Sequence, residues 1–437
     1  YSTVWRWHFY AGIIFAPFLI VLSVTGSIYL FKPQIEQFIY QEYYEVKAND
    51  SKLSPSRQLE IVKEQYPMST ATKYRPGEAA TRSSEVTISE NMETYTVFVD
   101  PYSGNILGKL NNKDKIMDKI EEIHGELMAG TIGDRLVELA ACWTIVLIIT
   151  GFYLWFPKKK WKLAGVFFPR FTKGKKTLQR DLHAVPAIWI TLGMLFVVMT
   201  GLPWSGFWGT NFQNIVTNSG AGYPPSIWVG SAPASNTKTK EIAEVPWAAE
   251  NLQVPMSTVQ GYIPLSIDDV ITIADRQKIY PGYTVIMPKT PEGVYTLSVF
   301  PPRAQDEATM HLDQYTGAVL ADYRYDHYGP IGKIIAWGIT LHKGLQFGLL
   351  NQLVGLVICL GIIFVACSGF YLWLKRKPAK TIGAPKGPNI WKQRNFLLLM
   401  TALSVLFPLV GVSIILVLLM DKLIIQRIPF LRKCFYA

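Results

Sequence analysis

Cysteine is scarce in this chain, and histidine nearly so: there are four of the first and six of the second in 437 residues. No two cysteines stand as CxxC, and no CxxCH occurs. By motif logic that excludes a zinc ribbon and the covalent attachment of a c-type haem. Cys142, Cys359 and Cys367 fall inside long apolar runs and Cys434 in the tail, so no disulfide framework is expected. HExxH is missing, which removes that zinc signature, and GxGxxG is missing, which removes a flavin or nicotinamide fingerprint. Acid is sparse where base is dense: residues 375–394 carry seven Lys and Arg and no Asp or Glu.

Long uncharged apolar runs are what the sequence has in plenty. Mean hydropathy is +0.18, above that of an ordinary soluble protein, because five runs are each long enough to cross a hydrocarbon core of ~30 Å as a helix. One cleaved signal peptide cannot account for five runs, so the chain reads as a polytopic membrane protein in a lipid bilayer. It opens on Tyr1 rather than a methionine, and a short leader is expected ahead of it. The predicted order is a span at 1–31, a large segment at 32–133, a span at 134–156, a basic loop at 157–182, and a span at 183–205. A second large segment follows at 206–338, then a span at 339–374, a basic loop at 375–394, a span at 395–420 and a tail at 421–437.

The net charge of +11 is concentrated in the two short loops; the first holds Lys158, Lys159, Lys160, Lys162, Arg170, Lys173, Lys175, Lys176 and Arg180. Short basic loops between spans follow the positive-inside rule better than a nucleic-acid reading, so no nucleic-acid partner is expected. Both loops are then cytoplasmic, and both large segments lie outside. The basic tail 421–437 disagrees, because the same count puts it outside.

The chain repeats itself. His124 lies 27 residues before Gly151, and His342 lies 27 before Gly369; both glycines open the word GFYLW. His8 is 18 residues before Gly26, and His183 is 18 before Gly201, with a Thr ahead of the glycine both times. The large segments echo each other through "VDPYSGNILG" and "LDQYTGAVLA", each an alternating strand followed by an Asp–aromatic–Gly turn. Ser caps at 54 and 266 predict a helix ahead of each hairpin. The fold class is therefore an α-helical integral membrane bundle of five spans in two tandem repeats, with two α+β domains outside. Residues 217–262, rich in Ser, Pro, Gly and Ala, read as a long linker.

Four histidines keep repeat-equivalent places beside the spans. By the topology His8 and His183 lie near the cytoplasmic face, and His124 and His342 near the outer face. Ionisable groups near a membrane interior are costly and default to a functional reading. A pair of imidazoles across a helical bundle suits the axial ligation of a b-type haem, held without covalent bonds. Two such haems, one per face, would conduct electrons across the bilayer. Zinc competes, but two histidines leave a tetrahedral site half satisfied. A proton relay is a third option, although the spans read as lacking the buried Asp and Glu of one. Arg6 and Arg180 flank His8 and His183, where cations would pair with haem propionates. His311 and His327 lack counterparts in the first half and read as surface residues; Trp204 and Trp208 read as interfacial or as lining the outer site.

"WRWHFYAG", "RDLHAVPAIW" with "TGLPW", "LHKGLQFG", and "GFYLW" followed by lysines together resemble the PepSY-associated transmembrane family; "VDPYSGNILG" and "LDQYTGAVL" resemble PepSY domains. The resemblance covers essentially the whole chain. It implies a multi-pass protein of the bacterial inner membrane with large periplasmic PepSY-like domains, and in some members a dihaem ferrisiderophore reductase. By that resemblance His8, His183, His124 and His342 match ligand positions for two bis-His b haems. The expected activity is reduction of a ferric siderophore or other ferric chelate, releasing Fe(II) for uptake. The expected electron donor is a quinol or another protein. The other functional class is a non-enzymatic accessory protein whose PepSY domains bind a partner.

Overall fold

The computed structural model describes residues 1–156, 163–223, 234–257, 263–376 and 393–431. Lys158, Lys159, Lys160 and Lys162, most of the second basic loop and Cys434 lie outside the described residues.

The chain opens with α1 (Ser2–Tyr29), then α2 (Lys32–Ile39), α3 (Gln41–Tyr44) and α4 (Pro55–Gln65). Ser54 caps α4 by accepting from Arg57 N, with Pro55 at the first turn, where its missing N–H costs nothing. Strands β1 (Thr70–Arg75), β2 (Ser84–Glu90), β3 (Glu93–Val99) and β4 (Ile106–Asn111) follow, then α5 (Ile116–Glu126), α6 (Gly130–Trp155), α7 (Lys175–Gly201) and α8 (Trp208–Asn218). Next come β5 (Ala234–Lys238), α9 (Thr239–Ile242), β6 (Gln253–Pro255) and α10 (Ile267–Arg276), the last opened by a Ser266–Asp269 capping box. Strands β7 (Thr284–Ile286), β8 (Val294–Val299), β9 (Ala308–Asp313) and β10 (Val319–Arg324) lead to α11 (Pro330–His342), α12 (Leu349–Arg376), α13 (Arg394–Leu406) and α14 (Pro408–Met420).

Two compact units result. One comprises residues 1–30, 120–210 and 352–437, the other 31–119 and 211–351. Among the described residues five helices are long and apolar enough to cross a bilayer: Ser2–Tyr29, Gly130–Trp155, Lys175–Trp204, Leu349–Lys375 and Pro408–Ile425. In the first unit, Ala11 and Ala140 let α1 and α6 approach, and Phe15, Trp143, Phe396, Met400 and Leu403 fill the rest. Trp143 stacks on Trp7 and Phe15, and its indole N–H donates to Ser413 Oγ (2.9 Å). Each aromatic pair adds about 1 kcal/mol beyond area burial. Pro408 follows a break at Phe407, so the apolar stretch 395–420 forms two helices instead of one. Ile415, Leu416, Val417 and Leu418 of α14 stay about half exposed, an apolar surface suited to lipid.

The second unit is built on one eight-stranded antiparallel sheet, in the order β10-β9-β8-β7-β1-β2-β3-β4. Both large segments contribute four strands, joined where Tyr74 of β1 faces Val285 of β7. Helices α4 and α10 cover one face with Val62, Ile267, Val270 and Ala274 against Val86, Val97, Leu297 and Met310. The two Asp–Gly turns share their geometry. Asp100 Oδ1 accepts from Tyr102 N and Ser103 N, and Asp313 Oδ1 accepts from Tyr315 N and Thr316 N. Gly104 and Gly317 have φ of +77° and +70°. A Cβ on either would meet an isoleucine of the overlying helix, Ile61 or Ile273.

The expected linker 217–262 is not simply a linker. Within its described part, Ala243, Val245, Ala249 and Val254 are buried, and several of them cover the other sheet face with Ala321 and Tyr323. Its apolar residues are sparse but fall where the sheet would otherwise face water.

Candidate cofactor site

His8 stands two turns into α1, where its Nδ1 lies 2.9 Å from Thr150 Oγ1 on α6. The Thr150 hydroxyl donates its own proton to Val146 O (2.7 Å), the carbonyl one turn back. Its oxygen can therefore only accept from the ring. This arrangement favours the His8 tautomer with its proton on Nδ1 and its lone pair on Nε2. The next residue, Gly151, makes this possible: a Cβ there would lie 3.1 Å from His8 Cε1.

His183, on α7, is seated the same way on α12. Its Nδ1 lies 3.1 Å from Ser368 Oγ and 3.1 Å from Val365 O. The carbonyl only accepts, and the Ser368 hydroxyl donates to that same carbonyl (2.9 Å), so the ring proton again sits on Nδ1. A Cβ on Gly369 would come within 3.1 Å of His183 Cε1. The first turns of α7 are held in place by a charge pair. Asp181, fully buried, takes a two-pronged bond from Arg170 (2.7 and 2.8 Å). The indoles of Trp155 and Trp189 donate to Val166 O and Phe167 O, closing the segment before α7 onto the helices.

The two imidazoles are neighbours, set edge to face. Their ring centres are 6.5 Å apart with planes inclined at 69°. Imidazole nitrogens bind metals at about 2 Å, so two rings this close would be able to hold one ion between them. Both rings line a cavity of about 410 Å³ walled by Trp5, Phe9, Phe152, Trp155, Phe370 and Trp373. Gly12, Gly151 and Gly369 also line it, and so does Arg180. Two neighbouring imidazoles, aromatic walls and a guanidinium fit the needs of a b-type haem. Arg6, expected to pair with a propionate, lies over the Tyr10 ring (5.8 Å) and is not among the lining residues. Among the described residues no three His, Cys, Asp or Glu side chains converge as a metal site, so a tetrahedral zinc site has no ligand set there.

His124, on α5, is seated at the other end of α1. Its Nδ1 lies 3.0 Å from Thr25 Oγ1, which donates to Val21 O (2.8 Å), and a Cβ on Gly26 would lie 3.2 Å from His124 Cε1. Cys359 Sγ borders the same point at 3.9 Å. Thr25 is 17 residues along α1 from His8, roughly 26 Å at 1.5 Å per residue. Each ring thus sits on the seat of another helix: His8 of α1 on α6, and His124 of α5 on α1. His342 belongs to the second compact unit, at the C-terminal end of α11, where the chain turns through Gly344 and Gly348 before α12.

Two sequence readings are corrected. His311 is not a surface residue. It is fully buried on β9, its Nδ1 is 2.9 Å from Thr296 Oγ1, and burial pushes its pKa down to about 3. The packed segment 234–257 closes over that sheet face, which is why alternation alone misplaced it. His327 is exposed, in the turn Tyr325–His327. The spans also do hold a buried carboxylate: Glu138 on α6, 1% exposed, accepts from Phe207 N (2.8 Å) and Trp208 N (3.1 Å). It is tolerated because it caps the first amides of α8. Trp208 donates to Leu406 O and packs on Phe407, while Trp204 is 44% exposed.

His8 and His183 thus meet in a cavity that both GFYLW segments also line. The chain belongs to the PepSY-associated TM region family. The family model matches residues 5–376, which takes in all four histidines and both sheet-forming segments. No curated protein matches the chain.

Proposed function

We propose that this family member is a b-type dihaem oxidoreductase of the bacterial inner membrane, passing electrons across the bilayer to a periplasmic ferric chelate such as a ferric siderophore. The observation that carries the reading is the His8–His183 pair, 6.5 Å apart in an aromatic cavity with both Nε2 lone pairs available by tautomer. A haem held there supplies a one-electron Fe(III)/Fe(II) couple. The chain's own residues do the rest. His8 and His183 bind, Thr150 and Ser368 orient, the Trp and Phe walls exclude water, and Arg180 offers a cation to a propionate. The second ligand pair, His124 with His342, rests on the sequence register and on the resemblance. So do the tandem duplication, the PepSY-like domains, the cytoplasmic placement of the basic loops, and the quinol or protein donor. Reduction serves iron release because hard oxygen donors hold Fe(II) more weakly than Fe(III).

The test is vectorial. Proteoliposomes of the purified protein receive an impermeant reductant on one side, and a ferric chelate with an Fe(II)-specific dye on the other. Fe(II) should form with the wild type and not with His8→Ala. Equal rates for His8→Ala and wild type would refute the reductase reading and favour the non-enzymatic accessory role.

A further inference from the structure

Three histidines lie against a hydroxyl–glycine dipeptide of a neighbouring helix: His8 on Thr150–Gly151, His183 on Ser368–Gly369, and His124 on Thr25–Gly26. The details repeat. In each the hydroxyl donates back to its own helix, Thr150 to Val146 O, Thr25 to Val21 O and Ser368 to Val365 O, so that its oxygen can only accept from the ring. In each the carbonyl three residues before the hydroxyl also takes part: Val365 O lies 3.1 Å from His183 Nδ1, and Leu147 and Leu22 serve His8 and His124. In each the ring edge lies so close to the glycine that a Cβ would come within 3.1–3.2 Å of Cε1. The fully buried His311 also meets a threonine hydroxyl, Thr296 (2.9 Å), so the hydroxyl alone does not mark these three rings; the glycine against Cε1 sets them apart.

We infer that Thr150 and Ser368 are positioning residues. Their hydroxyls hold His8 and His183 as Nδ1–H tautomers and add electron density to the rings, setting both the grip of Nε2 on a metal and the potential of that metal. The inference rests on the haem reading above. The physical reason is that a ligand imidazole whose N–H is donated to an oxygen becomes more basic, and is fixed in orientation. A more basic ligand favours Fe(III) over Fe(II) and lowers the midpoint potential. Thr150→Val keeps the shape and removes the acceptor, leaving only the carbonyl. Haem should then be held roughly tenfold more weakly, at the lower end of what lost outer-shell partners cost. The midpoint potential of that haem should shift positive.

The experiment uses full-length wild type, Thr150→Val, Thr150→Ser and Ser368→Ala. Each is read by haemin titration of haem-depleted protein and by potentiometric titration of loaded protein. Weaker binding and a positive shift in Thr150→Val, with both restored in Thr150→Ser, support the inference; a purely packing role would not move the potential. Ser368→Ala is read the same way and keeps the test open should Thr150→Val misfold. Wild-type affinity and potential in both Thr150→Val and Ser368→Ala overturn the inference while leaving the haem reading standing. A wild type that binds no haem overturns both. Nitrogen-15 spectra of histidine-labelled haem-free protein give a separate check: Nε2 without a proton supports the assigned tautomer, and Nε2–H overturns it.

Discussion

The Cε1 edge of His8 lies 3.1 Å from the point where a side chain on Gly151 would begin. That spacing is tighter than a methyl tolerates at rest, so the glycine is a condition for the ring's position. Gly151→Ala should push the imidazole off its seat by a few tenths of an ångström, at a cost of about 1 kcal/mol in a forced rotamer. Gly369→Ala should do the same to His183, 3.1 Å away. Gly125→Ala, with nothing within 4 Å of its Cβ, serves as control. Haem retention through size-exclusion chromatography should fall in the first two and not in the third.

Gly12 lines the cavity, and a Cβ there would meet only Leu147, at 3.9 Å. Gly12→Leu should therefore fold normally by circular dichroism, yet exclude a flat ring from the space between His8 and His183. Unchanged haem content in this variant would place any haem elsewhere.

Glu138 satisfies two amides at the start of α8 from a fully buried position. Glu138→Ala strands both donors and should destabilise the membrane unit by roughly 3 kcal/mol. Glu138→Gln keeps one acceptor and should fall between. Thermal unfolding in detergent, followed by circular dichroism, orders the three proteins.

His311 gives the sheet a pH dependence of known sign. Its pKa, ordinarily about 6.5 when the chain is unfolded, is held down to about 3 by burial in the fold. Between those values the unfolded state binds a proton that the folded state refuses. Stability is therefore fully present above about pH 6.5 and falls as pH drops towards 3, by up to about 1.4 kcal/mol per pH unit. Protection factors of the amides in β8, β9 and β10, taken against the intrinsic exchange rate at each pH, should fall as pH drops across that window in the wild type. His311→Asn should show a flatter profile, and identical profiles would contradict the assignment.

Gly104 and Gly317 test whether the two Asp–Gly turns are built alike. Each has positive φ and an isoleucine Cδ1 under 3 Å from its virtual Cβ. Gly104→Ala and Gly317→Ala should each cost about 1–3 kcal/mol of local stability, by strain and by clash. Hydrogen exchange of β3–β4 and of β9–β10 reads them separately, and the two losses should be of similar size.

Periodic features were legible in the sequence. The spans were, because unbroken apolar runs have one main physical outlet, and so were the two Asp–Gly hairpins, because turn chemistry is local. The register of His8 and His183 in the two repeats marks them as a pair, and their rings are 6.5 Å apart. Which ring sits on which seat was not legible: Thr25 stands ahead of Gly26 in the sequence, but the ring beside it is 99 residues away. Thr150 and Ser368 stand just ahead of the glycines that open GFYLW, Thr in one copy and Ser in the other, and carry no separate signal. The burial of His311 depends on a cover, 234–257, whose composition imitates a loop. The breaks at Phe407 and between His342 and Leu349 fall inside apolar stretches, where hydropathy averages over a Pro408 or a Gly344.

Haem content of the purified protein tests the central claim most directly, measured as pyridine haemochrome per chain with a dithionite-reduced minus oxidised spectrum. The wild type should carry b haem. His8→Ala and His183→Ala should each lose the same haem, and the double variant should lose no more than either single one. A wild type without b haem, or single variants that keep their full complement, would contradict the account.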